Sequence, residues 1–155
     1  YKIEIKYFQK YFYIQSPLCT IQNIIYTSDE NNISNLIVLF KIDKNFNYYK
    51  FFGGFDSQIF DYVNEFSLKH RLISKENIQD LFHSAWYQND DKTKIIINLK
   101  VNQETKYFDK NKNIIHGLEL NIGDKIIGLL TTKGIFIDEK GINYRWTGKQ
   151  ILKYK

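Results

Sequence analysis

The chain has 155 residues, 43% of them hydrophobic, and a formal net charge of +5, enough apolar surface for a real core in one medium domain or two small ones. Its single cysteine, Cys19, excludes an internal disulfide, and no Cys/His cluster has ligand spacing, so no metal, cofactor or oxidising compartment is implied. No apolar run approaches the roughly 20 residues of a membrane span, the longest being Leu36 to Phe40 between Asn35 and Lys41.

Residues 1–32 begin aromatic and Lys-rich (YKIEIKYFQKYFYI), are broken by Pro17 and close in the polar stretch TSDENN, which reads as an extension. From Ser34, the residues Leu36, Ile37 and Phe40 at helical spacing predict a helix that Asn45 to Asn47 stop. NYYKFF is strand-like, Gly53 and Gly54 mark a turn, and Asp56 caps a second helix carrying Ile59, Phe60, Val63, Phe66 and Leu68. From Arg71 the pattern shifts to short strands. RLISKENI comes first, then KIIINLKV after the polar turn NDDKT, then TKYF, NIIHGLEL, KIIGLLTT and GIFI. A short helical turn after Asp138 and a closing strand, KQILKY, complete an α+β layout. The expected units are an extension 1–32, an α/β module 33–104 and a C-terminal β module 105–155 with one short helix.

The charge divides along the same line. Residues 1–105 hold 12 Lys/Arg and 12 Asp/Glu, whereas residues 106–155 hold 10 and 5. A basic segment beside a neutral one is an electrostatic footprint for a polyanion, because neutralising phosphates releases condensed counterions. Enzyme chemistry has no comparable support. His70, His83 and His116 are widely separated, the adjacent acids Asp90/Asp91 and Asp138/Glu139 sit in polar turns, and the glycines match no phosphate-loop or dinucleotide pattern. No small-molecule substrate is expected. Thr131, Thr132 and Lys133 precede Gly134 between two apolar strands, where a tight loop offers hydroxyls, N–H groups and an ammonium to RNA phosphates and sugars.

The stretch LTTKGIFIDEKGINYRWTGKQILKY, Leu130 to Tyr154, resembles the C-terminal signature of the universal small-subunit ribosomal protein S-eight family. Thr131, Thr132, Lys133, Gly134, Asp138, Gly148 and Ile151 fall on its positions, and Gly123 and Lys106-Tyr107 agree upstream. The expected helix from Ile33, NYYKFF, GGFDSQI, HRLI and KIIINLK occur in family order. Leu130, Thr147 and Lys149 depart from the pattern. The resemblance implies a helix-strand-helix module followed by a mostly antiparallel β module that binds a helix and junction of the small-subunit rRNA central domain during assembly. It assigns the RNA contacts to Thr131, Thr132, Lys133 and Gly134, with Phe55 and Ser57 as a secondary contact. Charge and position add Lys149, Lys153 and Tyr154. Neighbouring small-subunit proteins are the implied partners, with the 1–32 extension as the expected contact surface. The many Tyr, Phe, Ile, Asn and Lys residues suit an A/T-rich genome, so a mitochondrial ribosome is expected, with a plastid one as the alternative. Two other readings compete. One is a single-stranded nucleic-acid binder built on an OB-type barrel over residues 71–155. The other is a protein-only scaffold subunit of an organellar complex.

Overall fold

A computed structural model of the chain describes residues 2–4, 13–70, 81–132, 134–138 and 141–154. The first strands are β1 (Lys2–Glu4), β2 (Tyr13–Gln15), β3 (Cys19–Tyr26) and β4 (Ile33–Lys41), followed by the helix α1 (Phe46–His70). Then come β5 (Phe82–His83), β6 (Trp86–Gln88), β7 (Lys94–Lys100), β8 (Lys106–Phe108) and β9 (Ile114–Ile115). A 3-10 turn at Gly117–Glu119 leads to β10 (Lys125–Thr131), β11 (Gly134–Asp138), β12 (Gly141–Tyr144) and β13 (Thr147–Lys153).

The stretch expected to start a helix at Ser34 is instead strand β4. Leu36 and Phe40 suit both periods, and Val38 decides between them, because it is 1% exposed alongside Leu36 and Phe40 and so marks the two-residue alternation of a strand. β4 pairs antiparallel with β7 in a register that sets Leu36 against Leu99, Val38 against Ile97 and Phe40 against Ile95. All six are buried. β3 flanks β4 on the other side, antiparallel. β13 runs parallel to β7 at Thr147 and Lys100, and then parallel to β8, which continues along the β13 edge beyond β7.

β10 closes the circle. One of its edges pairs with β13 from Ile126 to Thr131, and the other pairs with β3 at Lys125 and Ile126 and then with β2. The order β3-β4-β7-β13-β10 and back to β3 is that of a five-stranded Greek-key OB barrel. The fold is therefore mostly β with one long helix among the described residues, and not a helix-strand-helix module followed by a β module. Nor is the barrel confined to residues 71–155, since its walls include β2, β3 and β4. All three expected sequence units, 1–32, 33–104 and 105–155, contribute barrel strands.

NYYKFF, Gly53, Gly54 and Asp56 all lie inside α1. Aromatic density in this segment imitates a strand, but tertiary packing prevails over that local preference. Asn45 starts the helix, its carbonyl accepting from the N–H groups of Tyr48 and Tyr49. α1 buries Phe52, Ile59 and Val63. Its rings pack on Trp146 with centroid separations of 5.6 Å for Phe52 and 5.1 Å for Phe55, and Phe52 also meets Phe40 at 6.0 Å and Trp86 at 6.5 Å. Offset and edge-on aromatic pairs of this kind add about 0.5–1.5 kcal/mol each beyond area burial.

The connection from β10 to β13 holds a second sheet, ordered β1-β11-β12-β5. The short helical turn expected after Asp138 gives way to β12, which begins at Gly141, while RLISKENI lies outside the described residues. Gly141 has φ of 130°, and a Cβ there would sit 2.4 Å from the Leu81 carbonyl oxygen. Only glycine allows β12 to run parallel to β5 at that point.

Gly54 is different, because it sits in the helix with nothing within 4 Å of a built Cβ. Helical glycine costs about 0.8–1.0 kcal/mol relative to alanine. Gly54→Ala is expected to stabilise the fold by about 0.5–1 kcal/mol, read as a raised urea midpoint with an unchanged m-value. A lowered midpoint would contradict this placement of Gly54.

Candidate functional site

Period-2 alternation that buries one side of a strand presents the other side outward. On β4 the outward set is Asn35, Ile37, Leu39 and Lys41, and on β7 it is Lys94, Ile96, Asn98 and Lys100. Register aligns them in rows: Asn35 with Lys100, Ile37 with Asn98, Leu39 with Ile96, and Lys41 with Lys94. β3 adds Thr20 beside Leu39 and Asn23 beside Ile37, and β6 adds Tyr87 beside Ile96. Ile96 is buried without belonging to the barrel core, so its cover comes from this outer side. Tyr87 stands 55% exposed.

The electrostatics are one-signed. β3, β4, β6 and β7 contain no aspartate or glutamate. Lys41, Lys94 and Lys100 form no ion pair with another described residue, and Lys41 faces Lys94 across the ladder as a like charge. Acids are confined to the flanks. In the β3–β4 turn, the Thr27 hydroxyl and the Asn31 N–H hold the Asp29 carboxyl below its usual range. Before β7, the Thr93 hydroxyl and N–H do the same for Asp91, with a smaller contribution from Lys94. The wall is therefore a strip of apolar and amide side chains with an exposed tyrosine and a rim of lysines. Beyond Ser34 and Val101 lies a groove of about 480 Å³ lined by Lys106, Tyr107, Ile114 and Leu118 among others. Burial pushes the Tyr107 phenol up to about 12.

The residues expected to form the site are scattered. Thr131 and Thr132 are fully buried at the end of β10, and Gly134 is buried at the start of β11. Lys133 lies outside the described residues. Phe55 belongs to the aromatic cluster under α1, and Ser57 is exposed on α1 with its hydroxyl donating to the Gly53 carbonyl at 3.1 Å. Lys149 is paired with Glu104 at 3.3 Å and Lys153 with Asp124 at 3.4 Å. Tyr154 is exposed, its N–H donating to the Lys125 carbonyl. The described ones do not share one exposed surface, since Thr131, Thr132 and Gly134 are buried while Ser57 and Tyr154 are exposed on separate elements. Tyr87, Asn98, Lys41, Lys94 and Lys100 are not among the residues expected from the sequence, although KIIINLK carries lysine at each end and Asn98 within an apolar run.

Among the described residues no group of three or more His, Cys, Asp or Glu can hold a metal. One carboxyl is raised by its surroundings. Burial pushes Asp56 above its usual range, and hydrogen bonds from Ser84 and Tyr144, with Trp86 beside them, oppose that only in part. Asp56 Oδ1 accepts from the Tyr144 hydroxyl and Oδ2 from the Ser84 hydroxyl. The Tyr144 phenol is itself pushed up, first by burial and then by the Asp56 carboxylate. The three groups tie α1 to β12 and to the segment before β6. Each hydrogen bond of Asp56 goes to an element it must hold, so the carboxyl serves as a clasp between elements.

Solved structures share this barrel. The single-stranded DNA-binding protein encoded by bacteriophage T7 superposes with a TM-score of 0.65 at 6% identity, over 92% of this chain and 91% of that one. The single-stranded DNA-binding protein of bacteriophage Enc34, in complex with single-stranded DNA, gives 0.62 at 12% identity over 92% and 86%. Its C-terminally truncated form gives 0.62 at 12% identity over 92% and 85%. No protein-family profile matches the sequence, and no curated protein matches it significantly. The shared fold overturns the resemblance to the ribosomal S-eight family, together with its translation role and its rRNA and ribosomal-protein partners. The mitochondrial expectation loses the support it drew from that family. The signature around Thr131 to Lys140 arises from a different cause, namely a barrel strand running into a hairpin.

A carboxyl raised in the folded state contributes stability below its unfolded pKa and loses it as pH rises through the folded value. The loss attributable to Asp56 therefore develops above the ordinary carboxylate range of about 4. Asp56→Asn is expected to shrink the fall in melting temperature between about pH 4 and pH 7 relative to the parent chain. Identical pH profiles for the two proteins would show that Asp56 is not coupled to folding in this way.

Proposed function

We propose that this chain binds single-stranded DNA along the outward wall of β3, β4, β7 and β6, by contact alone and without covalent chemistry. The observation that carries the reading is the acid-free wall itself, on which Lys41, Lys94 and Lys100 form no ion pair with another described residue and Tyr87 stands exposed. In an OB barrel the second and third strands form the face used for oligonucleotides, flanked by the loops between strands one and two and between strands four and five. Here those strands are β4 and β7, the first loop is the turn 27–32, and the second is the β11–β12 arm. A groove lined with lysine that tracks the backbone, combined with an aromatic on which a base stacks, is the recurrent means of holding a single strand without reading its sequence. Like charges opposite one another destabilise a bare sheet, and a phosphate placed between Lys41 and Lys94 converts that repulsion into two favourable contacts. The likeness in fold to phage proteins described as single-stranded DNA-binding supports the same reading.

The ligand must lose its second strand to lay bases on Tyr87, so fluorescence anisotropy is expected to rank a single-stranded oligonucleotide of about 16 nucleotides above the matching duplex. Affinity should fall with salt, with log K against log salt declining by about 0.7 for each phosphate neutralised. Lys94→Ala and Lys100→Ala are each expected to flatten that slope by about 0.7. Tyr87→Ala is expected to cost about 1–3 kcal/mol through lost stacking. Lys149→Ala, which removes a lysine already paired with Glu104, serves as the comparison and should leave the slope unchanged. Equal affinity for duplex and single strand, or a slope sensitive to Lys149 and not to Lys94 or Lys100, would refute the assignment of this wall.

A further inference from the structure

The wall carries a set of amides whose orientation is fixed by a relay of hydrogen bonds. The Ser34 hydroxyl lies 2.9 Å from Asn35 Oδ1 and 3.2 Å from the Ile25 carbonyl. The Asn35 Nδ2 group donates to Asn98 Oδ1 at 2.9 Å, from the neighbouring strand. Asn98 thus enters the middle of the face with its oxygen engaged and its two amide hydrogens without a partner among the described residues. Asn23 behaves alike, its Oδ1 accepting from the Ile24 N–H at 2.9 Å. Between them lies Ile37, and beyond Asn98 on the same side is Lys100. The polar middle of the wall therefore presents donors.

Tyr87 is the cross-strand neighbour of Ile96, two residues from Asn98 on the same face. Diagonal neighbours of this kind lie about 7–8 Å apart between backbones, within reach of aromatic and long side chains. A base stacked on the Tyr87 ring extends its edge toward the Asn98 amide. An asparagine that reads adenine does so with both its oxygen and its nitrogen, donating to N7 and accepting from N6. With its oxygen held by Asn35, Asn98 is set up instead to donate to a carbonyl oxygen. Thymine offers two carbonyl oxygens, cytosine and guanine one each, and adenine none.

Building on the single-stranded DNA reading, we propose that the Ser34-Asn35-Asn98 relay makes Asn98 a specificity residue that reads a carbonyl oxygen of the base held on Tyr87, favouring carbonyl-bearing bases such as thymine over adenine. Hydrogen bonding is separable from stacking by comparing an oligodeoxythymidine with the same oligonucleotide carrying difluorotoluene, which keeps the shape of thymine and lacks its carbonyl oxygens. The readout is the ratio of the two dissociation constants. A neutral hydrogen bond worth about 1 kcal/mol corresponds to about a fivefold ratio for the parent chain. Asn98→Ala is expected to bring the ratio to about one. Asn35→Ala, which leaves Asn98 in place and frees its amide to turn, is expected to reduce the ratio to roughly two. A thermal melt of each variant establishes that it is folded. A parent ratio of one, or a fivefold ratio that survives Asn98→Ala, would overturn the role of Asn98 while leaving single-stranded DNA binding intact. A folded parent chain that binds neither oligonucleotide would remove the underlying reading and this one together.

Discussion

Closure of the barrel through β10 is the constraint on which the rest depends. β10 is paired on both edges, to β13 on one and to β3 and β2 on the other. Once the ring is closed, every strand has one side committed to a single interior, which Leu36, Val38, Ile95, Ile97, Leu99, Leu130 and Ile151 fill. The opposite side of each strand is then fixed without further choice. A slip of β4 by one residue against β7 would carry Asn35 and Lys41 inside and expel Leu36, Val38 and Phe40. The same arithmetic that builds the core therefore places the lysines and amides of the outer wall.

The helix supplies what the barrel lacks at one end. Phe52, Phe55 and Trp146 form an aromatic plug, and the clasp of Asp56 with Tyr144 and Ser84 links that plug to the arm formed by β11 and β12. Taking a carboxyl partly out of water is costly unless its oxygens are satisfied, and both oxygens of the half-buried Asp56 accept from groups of other elements. Position along the chain and position in space diverge here. Asp56 and Tyr144 are far apart in sequence, yet their contact sets how the arm stands over the barrel.

Several strands could be read directly from the sequence. KIIINLK, KIIGLLT and the closing strand are short apolar runs of strand length bounded by polar residues, and they correspond to β7, β10 and β13. Two segments misled for physical reasons. Leu36, Ile37 and Phe40 satisfy a helical period, and only the burial of Val38 separates that from a strand. NYYKFFGG has the residues of a strand and a turn, yet it is helical because three rings, Phe51 and Phe52 within it and Phe55 just after it, pack on Trp146. The site was obscured by the way charge was counted. Residues 1–105 are neutral in total, but the wall strands β3, β4, β6 and β7 hold lysine and no acid, and the flanking acids Asp29 and Asp91 lie in turns. Segregation between faces is invisible to a sum along the chain. The C-terminal excess pointed instead to Lys149 and Lys153, which spend their charge on Glu104 and Asp124.

The start of the chain has a protective role in this architecture. β1 lies against β11 along Lys2, Ile3 and Glu4, opposite Phe136, Ile135 and Gly134. Without it, β11 would become a free sheet edge bearing Ile135, Phe136 and Ile137, a row of unpaired backbone groups beside apolar side chains that invites pairing with another molecule. Three residues, Lys2 to Glu4, thus act as a guard on the edge of a hairpin more than 120 positions away along the chain.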